Sequence, residues 1–109
     1  MSVAGVPDPV RPESAEPGLV EPAGDPVDAR LARVAARRED ARTALAEVVD
    51  ATLARCHRAA LLLSGGDTER AESVVRAAYR RVWDHAADFA PGRFSGSTWV
   101  LSQVRLAAG

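Results

Sequence analysis

The sequence has few aromatic residues, no lysine and a single cysteine. Aromatic side chains make up only 5% of its 109 residues, so the chain forms at most one small domain with a modest core. All 14 basic residues are arginines. Alanine, leucine and valine dominate the apolar residues. Because alanine and arginine favour helices and strand formers are scarce, the composition predicts an all-α protein rather than a sheet protein.

The same scarcities bear on where the protein works. Cys56 has no second cysteine to pair with, so an internal disulfide is impossible and a reducing compartment is expected. The longest apolar run, AALLL at residues 59–63, is far shorter than the roughly 20 residues of a membrane span. Neither the basic nor the apolar part of a signal peptide stands at the start of the chain. We therefore expect a cytoplasmic protein with no membrane contact.

Proline and acidic residues are concentrated at the start of the chain. Residues 1–27 contain six of the seven prolines, and five acidic residues there oppose Arg11 alone. Such a stretch buries too little apolar surface to offset the entropy lost on ordering. We predict a disordered acidic tail over residues 1–27 and a helical domain over residues 28–109. The domain is then net positive by about three charges.

The first helical region begins at Asp28, a suitable N-cap, and runs without proline or glycine to Leu63. Apolar or small side chains recur there at three- and four-residue steps, which places them on one helical face. This face consists of Leu45, Val48, Val49, Thr52, Cys56, Ala60 and Leu63. Before Leu45 the stripe weakens, so the first turns form either a separate helix or a frayed extension.

Two more helices follow in the pattern. The SGGD segment at residues 64–67 ends the first helix, and Asp67 can cap the next one. Tyr79 and Trp83 flank the apolar stripe of this second helix, which should end near Ala90 because a proline follows. The stripe consists of Ala71, Val74, Val75, Ala78, Val82, Ala86 and Phe89. With Ser95 or Ser97 capping a last helix, we predict three helices around a small core.

An enzyme is not expected from these residues. His57 and His85 have no cysteine or carboxylate neighbours at metal-ligand spacing, and Cys56 points about 100° away from His57 on a helix. The segments SGG at residues 64–66 and PGRFSGS at residues 91–97 contain glycine but do not follow a strand, as a phosphate-binding loop would. No serine stands in the sequence context of a nucleophile elbow. We expect no catalytic residues, no metal and no cofactor.

The segment LLLSGGDTERAESVVRAAYRRVWDHAADFAPGRFSGSTWVLSQVRLAA, residues 61–108, is more specific. The spacing of its residues, taken together, resembles the pattern of region 2 of the sigma-70 family, in particular the small extracytoplasmic-function type. The matching positions are Ala71, Glu72, Val74, Val75, Tyr79, Val82, Trp83, Phe89, Pro91, Ser97 and Trp99. The resemblance implies a small three-helix sigma region 2-like domain.

That resemblance also implies two partners. In sigma factors this domain docks its second helix on the coiled-coil clamp helices of the RNA polymerase β′ subunit, where charge complementarity sets orientation. The following loop and helix capture unpaired bases of the promoter −10 element, for which aromatic rings and guanidinium groups are suited. The implied polymerase-binding residues are Glu72, Ser73, Arg76 and Arg80. The implied DNA-binding residues are Arg93, Phe94, Ser95, Thr98, Trp99, Gln103 and Arg105.

Simpler roles compete with these assignments. Trp83, Phe89 and Trp99 are candidates for the core, because a domain this poor in aromatic residues needs them inside. Phe94 lies in a polar loop and is open to either role. The arginines after Glu72 could simply form a solvated helix face, with Glu72 pairing with Arg76 and Arg80 with Asp84.

The chain also departs from the family pattern. Ser73, Arg76 and Ala77 stand where the family usually has aspartate, glutamine and glutamate. If the β′ surface is arginine-rich, as the resemblance implies, the added cation weakens docking. The helix-turn-helix region that reads the −35 element has no counterpart in the sequence.

Three interpretations follow. The first is a lone, degenerate sigma region 2 domain that takes part in transcription initiation. The second is a regulatory module that binds an anti-sigma factor or another protein without starting transcription. The third is a nonfunctional fragment of a longer gene.

Overall fold

The computed structural model describes residues 25–109, which form four α-helices, one 3-10 turn and no strand. The helices are α1 (Pro26–Ala36), α2 (Ala41–Leu63), α3 (Thr68–His85) and α4 (Gly96–Ala108), and the 3-10 turn is Ala86–Asp88. The all-α class is confirmed. The count of three helices is wrong, because the segment before α2 is a separate helix. The predicted disordered tail lies outside the described residues except for its last three positions.

Those three positions belong to α1 and its cap. Asp25, not Asp28, is the N-cap, and its Oδ1 accepts a hydrogen bond from the Val27 N–H at 2.9 Å. Pro26 occupies the first helical position, where its missing N–H costs nothing and its fixed φ suits the helix. The helical region therefore begins three residues earlier than predicted.

The break between α1 and α2 begins at Arg37, where the sequence has neither glycine nor proline. Arg37 adopts a left-handed conformation with φ 55°, and its N–H donates to the Val34 carbonyl at 3.2 Å. Such a conformation is uncommon outside glycine. Here it is supported by the side chain, because the Arg37 guanidinium lies 3.8 Å from the centroid of the Trp83 ring and donates to the Trp83 carbonyl.

The turn between α2 and α3 matches its prediction. Gly65 and Gly66 both have positive φ, 62° and 89°, which only glycine adopts easily. Asp67 is the N-cap of α3 and accepts from the Arg70 N–H at 3.1 Å. Further along, Ser95 is the N-cap of α4 and accepts from the Thr98 N–H at 3.2 Å.

The core is built mainly from the predicted stripes. The prediction that α3 turns Val74, Val75 and Val82 inward is confirmed, since all three are buried. On α2 the stripe is confirmed at four positions, Val48, Thr52, Cys56 and Ala60. Leu63 departs from it, because this side chain is 49% exposed at the end of the helix. Leu63 is the last residue of α2, directly before the turn at residues 64–66.

One polar pair lies inside the hairpin of α2 and α3. The hydroxyl groups of Thr52 and Tyr79 are 2.7 Å apart, and Thr52 also donates to the Val48 carbonyl at 2.7 Å. Burial, together with the neighbouring Cys56 side chain, raises the pKa of Tyr79. The phenol is therefore protonated at neutral pH and fixes α3 against α2 through a satisfied buried bond.

Candidate macromolecular interaction surfaces

The outer face of α3 contains the residues that the resemblance assigns to polymerase binding. Glu72, Ser73, Arg76 and Arg80 are all exposed, on the side opposite the buried valines. Neither expected ion pair, Glu72 with Arg76 or Arg80 with Asp84, occurs among the ion pairs of the described residues. Arg76 instead donates to the Ser73 hydroxyl at 3.3 Å. The arginines of this face are thus not neutralised by neighbours on their own helix.

A groove of about 610 Å³ lies between α2 and α3 beside this face. We call it the arginine groove. It is lined by Arg42, Leu45, Arg76, Tyr79, Arg80, Trp83 and Asp84. Three guanidinium groups face one carboxylate there, so the groove is net positive. Sequence analysis missed this site because Arg42 comes from α2, more than thirty residues before its neighbours on α3.

Trp83 forms the aromatic wall of the groove. The sequence placed it in the core, but its side chain is only half-buried. Two guanidinium groups lie near its ring, that of Arg37 at 3.8 Å from the centroid and that of Arg42 at 5.7 Å. Both distances fit cation–π contacts. The groove therefore combines positive charge with an apolar, partly covered surface.

The residues assigned to DNA lie in the loop before α4 and on α4 itself. Arg93 and Phe94 are exposed, Phe94 by 44%, and Thr98 and Arg105 are exposed on α4. Ser95 is engaged in capping, because its hydroxyl accepts from the Thr98 N–H and lies 3.0 Å from the Thr98 hydroxyl. An exposed aromatic ring next to an arginine is a chemistry that stacks on unpaired bases.

Two of the assigned DNA-binding residues are buried instead. Trp99 is 6% exposed and packs on Phe89, with ring centroids 5.9 Å apart. Gln103 is 5% exposed, and its side-chain oxygen accepts from Arg81 Nε at 3.1 Å. Both side chains serve the packing of α4 in this structure. Phe89 is likewise in the core, as the scarcity of aromatic residues predicted.

The start of α4 is bound by two carboxylates from α1, which we call the aspartate clamp. Asp28 Oδ1 accepts from the Gly96 N–H at 2.6 Å, and Asp25 Oδ2 accepts from the Ser97 N–H at 3.0 Å. Carboxylates at a helix N-terminus satisfy its free N–H groups and favour its dipole. A Cβ atom on Gly96 would lie 2.8 Å from Asp28 Oδ1 and 3.0 Å from the backbone of α1. Only glycine permits this approach.

The clamp affects the electrostatics of the loop. Partial burial alone would raise the pKa of Asp25, but hydrogen bonds from Ser97, Val27 and Ser95 outweigh it and hold the pKa below its ordinary value. Asp25 is therefore ionised at neutral pH. Its negative charge lies beside Ser95, one of the residues assigned to DNA, and opposes the approach of a phosphate group at that end of the loop.

Residues 25–109 bring no three potential metal ligands together. None of the helices formed by these residues has both the length and the apolar character needed to cross a membrane.

Comparison with known proteins adds no assignment. No protein-family model matches the chain, and searches of curated proteins and of solved structures found no significant match.

Proposed function

We propose that this protein is a sigma-factor-like module for transcription initiation that binds the RNA polymerase core through the outer face of α3. One observation supports this most directly: α3 buries its valines and leaves Glu72, Ser73, Arg76 and Arg80 exposed together. A continuous helix with a free polar face is suited to packing along a charged coiled coil, where complementary charges fix orientation. The clamp helices of the β′ subunit are such a coiled coil in the family that the sequence resembles.

The second part of the proposal concerns promoter DNA. Arg93 and Phe94 are exposed in a loop whose far end is fixed by the aspartate clamp. A binding residue on a loop is most useful where the scaffold positions that loop rigidly. We assign weak binding of the unpaired −10 strand to Arg93 and Phe94 with support from Thr98 and Arg105. Trp99 and Gln103 are not part of this surface.

Polymerase binding is tested by co-purification with the core enzyme. The resemblance implies an uncharged amide at position 76 and an arginine-rich β′ surface, so replacing the cation in Arg76→Glu should strengthen the binding. Arg58→Glu is the matched control, since Arg58 is exposed on α2 away from the groove. The same recovery of core enzyme with both variants would remove this face from the proposed contact.

DNA binding is tested by fluorescence anisotropy with a single-stranded −10-like oligonucleotide. Stacking of one base on an aromatic ring contributes about 1–3 kcal/mol, so Phe94→Ala should weaken binding by roughly 5- to 150-fold. Leu106→Ala is the control, because Leu106 is a similarly exposed apolar residue at the other end of α4. Unchanged affinity in Phe94→Ala would exclude the loop from the site.

A second candidate function has its own support in the arginine groove. Arg42, Arg76 and Arg80 face only Asp84 there, which favours an acidic partner over a basic one. The protein would then be a regulatory module that binds an acidic segment of an anti-sigma factor or another protein, without starting transcription. The sign of the Arg76→Glu effect separates the two functions. Binding to an acidic partner becomes weaker with this variant, whereas binding to the polymerase becomes stronger.

A further inference from the structure

We propose that the arginine groove binds an acidic segment of this same chain, residues 8–21. This segment contains Asp8, Glu13, Glu16 and Glu21 against Arg11 alone. The groove presents three guanidinium groups and one carboxylate, those of Arg42, Arg76, Arg80 and Asp84. The segment and the groove therefore have opposite net charge.

The groove arginines differ from Arg30 and Arg33 in having no acidic partner among the described residues. Arg30 and Arg33 both pair with Glu47, at 2.9 and 3.0 Å, and Arg33 also pairs with Asp40 at 2.9 Å. Arg42, Arg76 and Arg80 form no ion pair with any residue from 25 to 109. The groove thus brings together three arginines that have no ion-pair partner among these residues, around the single carboxylate of Asp84.

The apolar parts of the two surfaces also correspond. Trp83 and Leu45 are half-buried and line the groove between its arginines. In the acidic segment, Leu19 and Val20 stand between Glu16 and Glu21. When the carboxylates of the acidic segment pair with the groove arginines, Leu19 or Val20 can therefore cover the exposed part of the Trp83 ring.

The segment is long enough to reach the groove. The 11 residues of α1 span about 16 Å, and Arg37 just after its end contacts Trp83. The near end of the groove is thus about 16 Å, the length of α1, from Asp25. Glu13 is 12 residues before Asp25, so this stretch can extend to about 40 Å. Tethering gives such a segment a local concentration in the millimolar range, so even weak contacts suffice.

Binding of the segment would regulate the proposed polymerase contact. Arg76 and Arg80 belong both to the groove and to the outer face of α3. A bound acidic segment would cover them until a competing partner displaced it. This consequence depends on the proposed function, whereas the contact between segment and groove does not.

The two tryptophans allow a direct test in the full chain. Trp83 lines the groove, while Trp99 is buried against Phe89. Cys56 is buried, so a nitroxide label can be attached selectively to Ser14→Cys between the acidic residues. The NMR signal of the Trp83 indole N–H should be broadened by the label much more than that of Trp99. The broadening should be lost at about 0.5 M salt, where charges are screened beyond roughly 4 Å.

A pair of matched variants makes the test specific to the groove. Arg76→Ser/Arg80→Ser, introduced with the label, should abolish the preferential broadening of the Trp83 signal. Arg55→Ser/Arg58→Ser changes the net charge equally on an exposed part of α2 and should preserve it. Equal broadening of both indole signals, or broadening that persists in Arg76→Ser/Arg80→Ser, would overturn the proposal. No polymerase is present in this experiment, so its result is independent of the proposed function.

Discussion

Helices α3 and α4 both contain binding residues assigned from the sequence, but the structure exposes all of those on α3 and only half of those on α4. On α3 the four assigned residues are exposed, and the helix is capped by Asp67 from its own turn. On α4, Trp99 and Gln103 are buried, and the helix start is bound by the aspartate clamp of α1. All assigned residues of α3 are therefore exposed, whereas on α4 only Thr98 and Arg105 of the assigned residues are exposed.

The difference shows that the position of a helix decides the role of its polar and aromatic residues. The 13-residue helix α4 packs against α1, α2 and α3, so little of its circumference is left for a partner. Its glutamine is then used to accept a bond from Arg81, which a buried amide requires. Residue chemistry alone placed binding residues on both helices, whereas packing leaves those of α3 exposed and buries Trp99 and Gln103 of α4.

The largest expected effect concerns Trp99. Because Trp99 is buried against Phe89, Trp99→Ala should lower the free energy of unfolding by about 3–5 kcal/mol. Phe94→Ala, a change at a 44% exposed position, should stay within about 0.5 kcal/mol. Urea unfolding followed by far-UV circular dichroism measures both. Similar losses for the two variants would contradict the contrast between the loop and α4.

A smaller effect tests how the two helices are capped. Asp25 caps α1 and also binds the start of α4, whereas Asp67 caps α3 alone. Since one cap contributes about 1 kcal/mol, Asp25→Ala should cost about 2 kcal/mol and Asp67→Ala about 1 kcal/mol. Equal losses in urea unfolding would mean that the bond from Asp25 to α4 does not contribute.

A third prediction compares the contributions to stability of one polar residue on α4, Gln103, and one on α3, Arg80. Gln103→Ala removes the acceptor for Arg81 Nε inside the protein and should cost about 1 kcal/mol. Arg80→Ser, on the exposed face of α3, should change stability by less than about 0.5 kcal/mol. A marked loss from Arg80→Ser, measured by the same unfolding experiment, would show that the α3 face is structural rather than free for binding.

The smallest effect is the pH dependence of the clamp. The pKa of Asp25 is lower in the folded chain than its ordinary value, so its contribution is present above that value and is lost as the pH falls through the folded pKa. Asp25→Asn should therefore differ most from the wild type at neutral pH and least in acid, with the change beginning near pH 4. Thermal unfolding between pH 2 and pH 7 measures the difference. A difference that does not change with pH would rule out this role.

The sequence was sufficient for the parts of the fold that depend on local pattern. Val74, Val75 and Val82 recur at helical spacing, and their burial follows from that spacing alone. The turn at Gly65 and Gly66 was equally readable, because positive φ favours glycine. The start of α1 was misplaced by three residues, although the pair Asp25 and Pro26 is a recognisable cap signal.

The rest depends on contacts between distant parts of the chain. Arg37 ends α1, and its side chain contacts Trp83, 46 residues later in the chain. The local sequence contains no signal that predicts this break. The arginine groove likewise needs Arg42 from α2 beside residues of α3. The candidate face on α3 was therefore predictable, but its extension into a groove was not.

The aspartate clamp also has a consequence for the order of assembly. The bond from Gly96 to Asp28 joins residues 68 positions apart, and closing a loop of that length costs about 4 kcal/mol in chain entropy. The hairpin of α2 and α3 closes a far shorter loop, so we expect it to form in the transition state while α1 docks on α4 afterwards. φ-values near zero for Asp28→Ala, beside higher ones at Val75, would be the kinetic signature of that sequence of events.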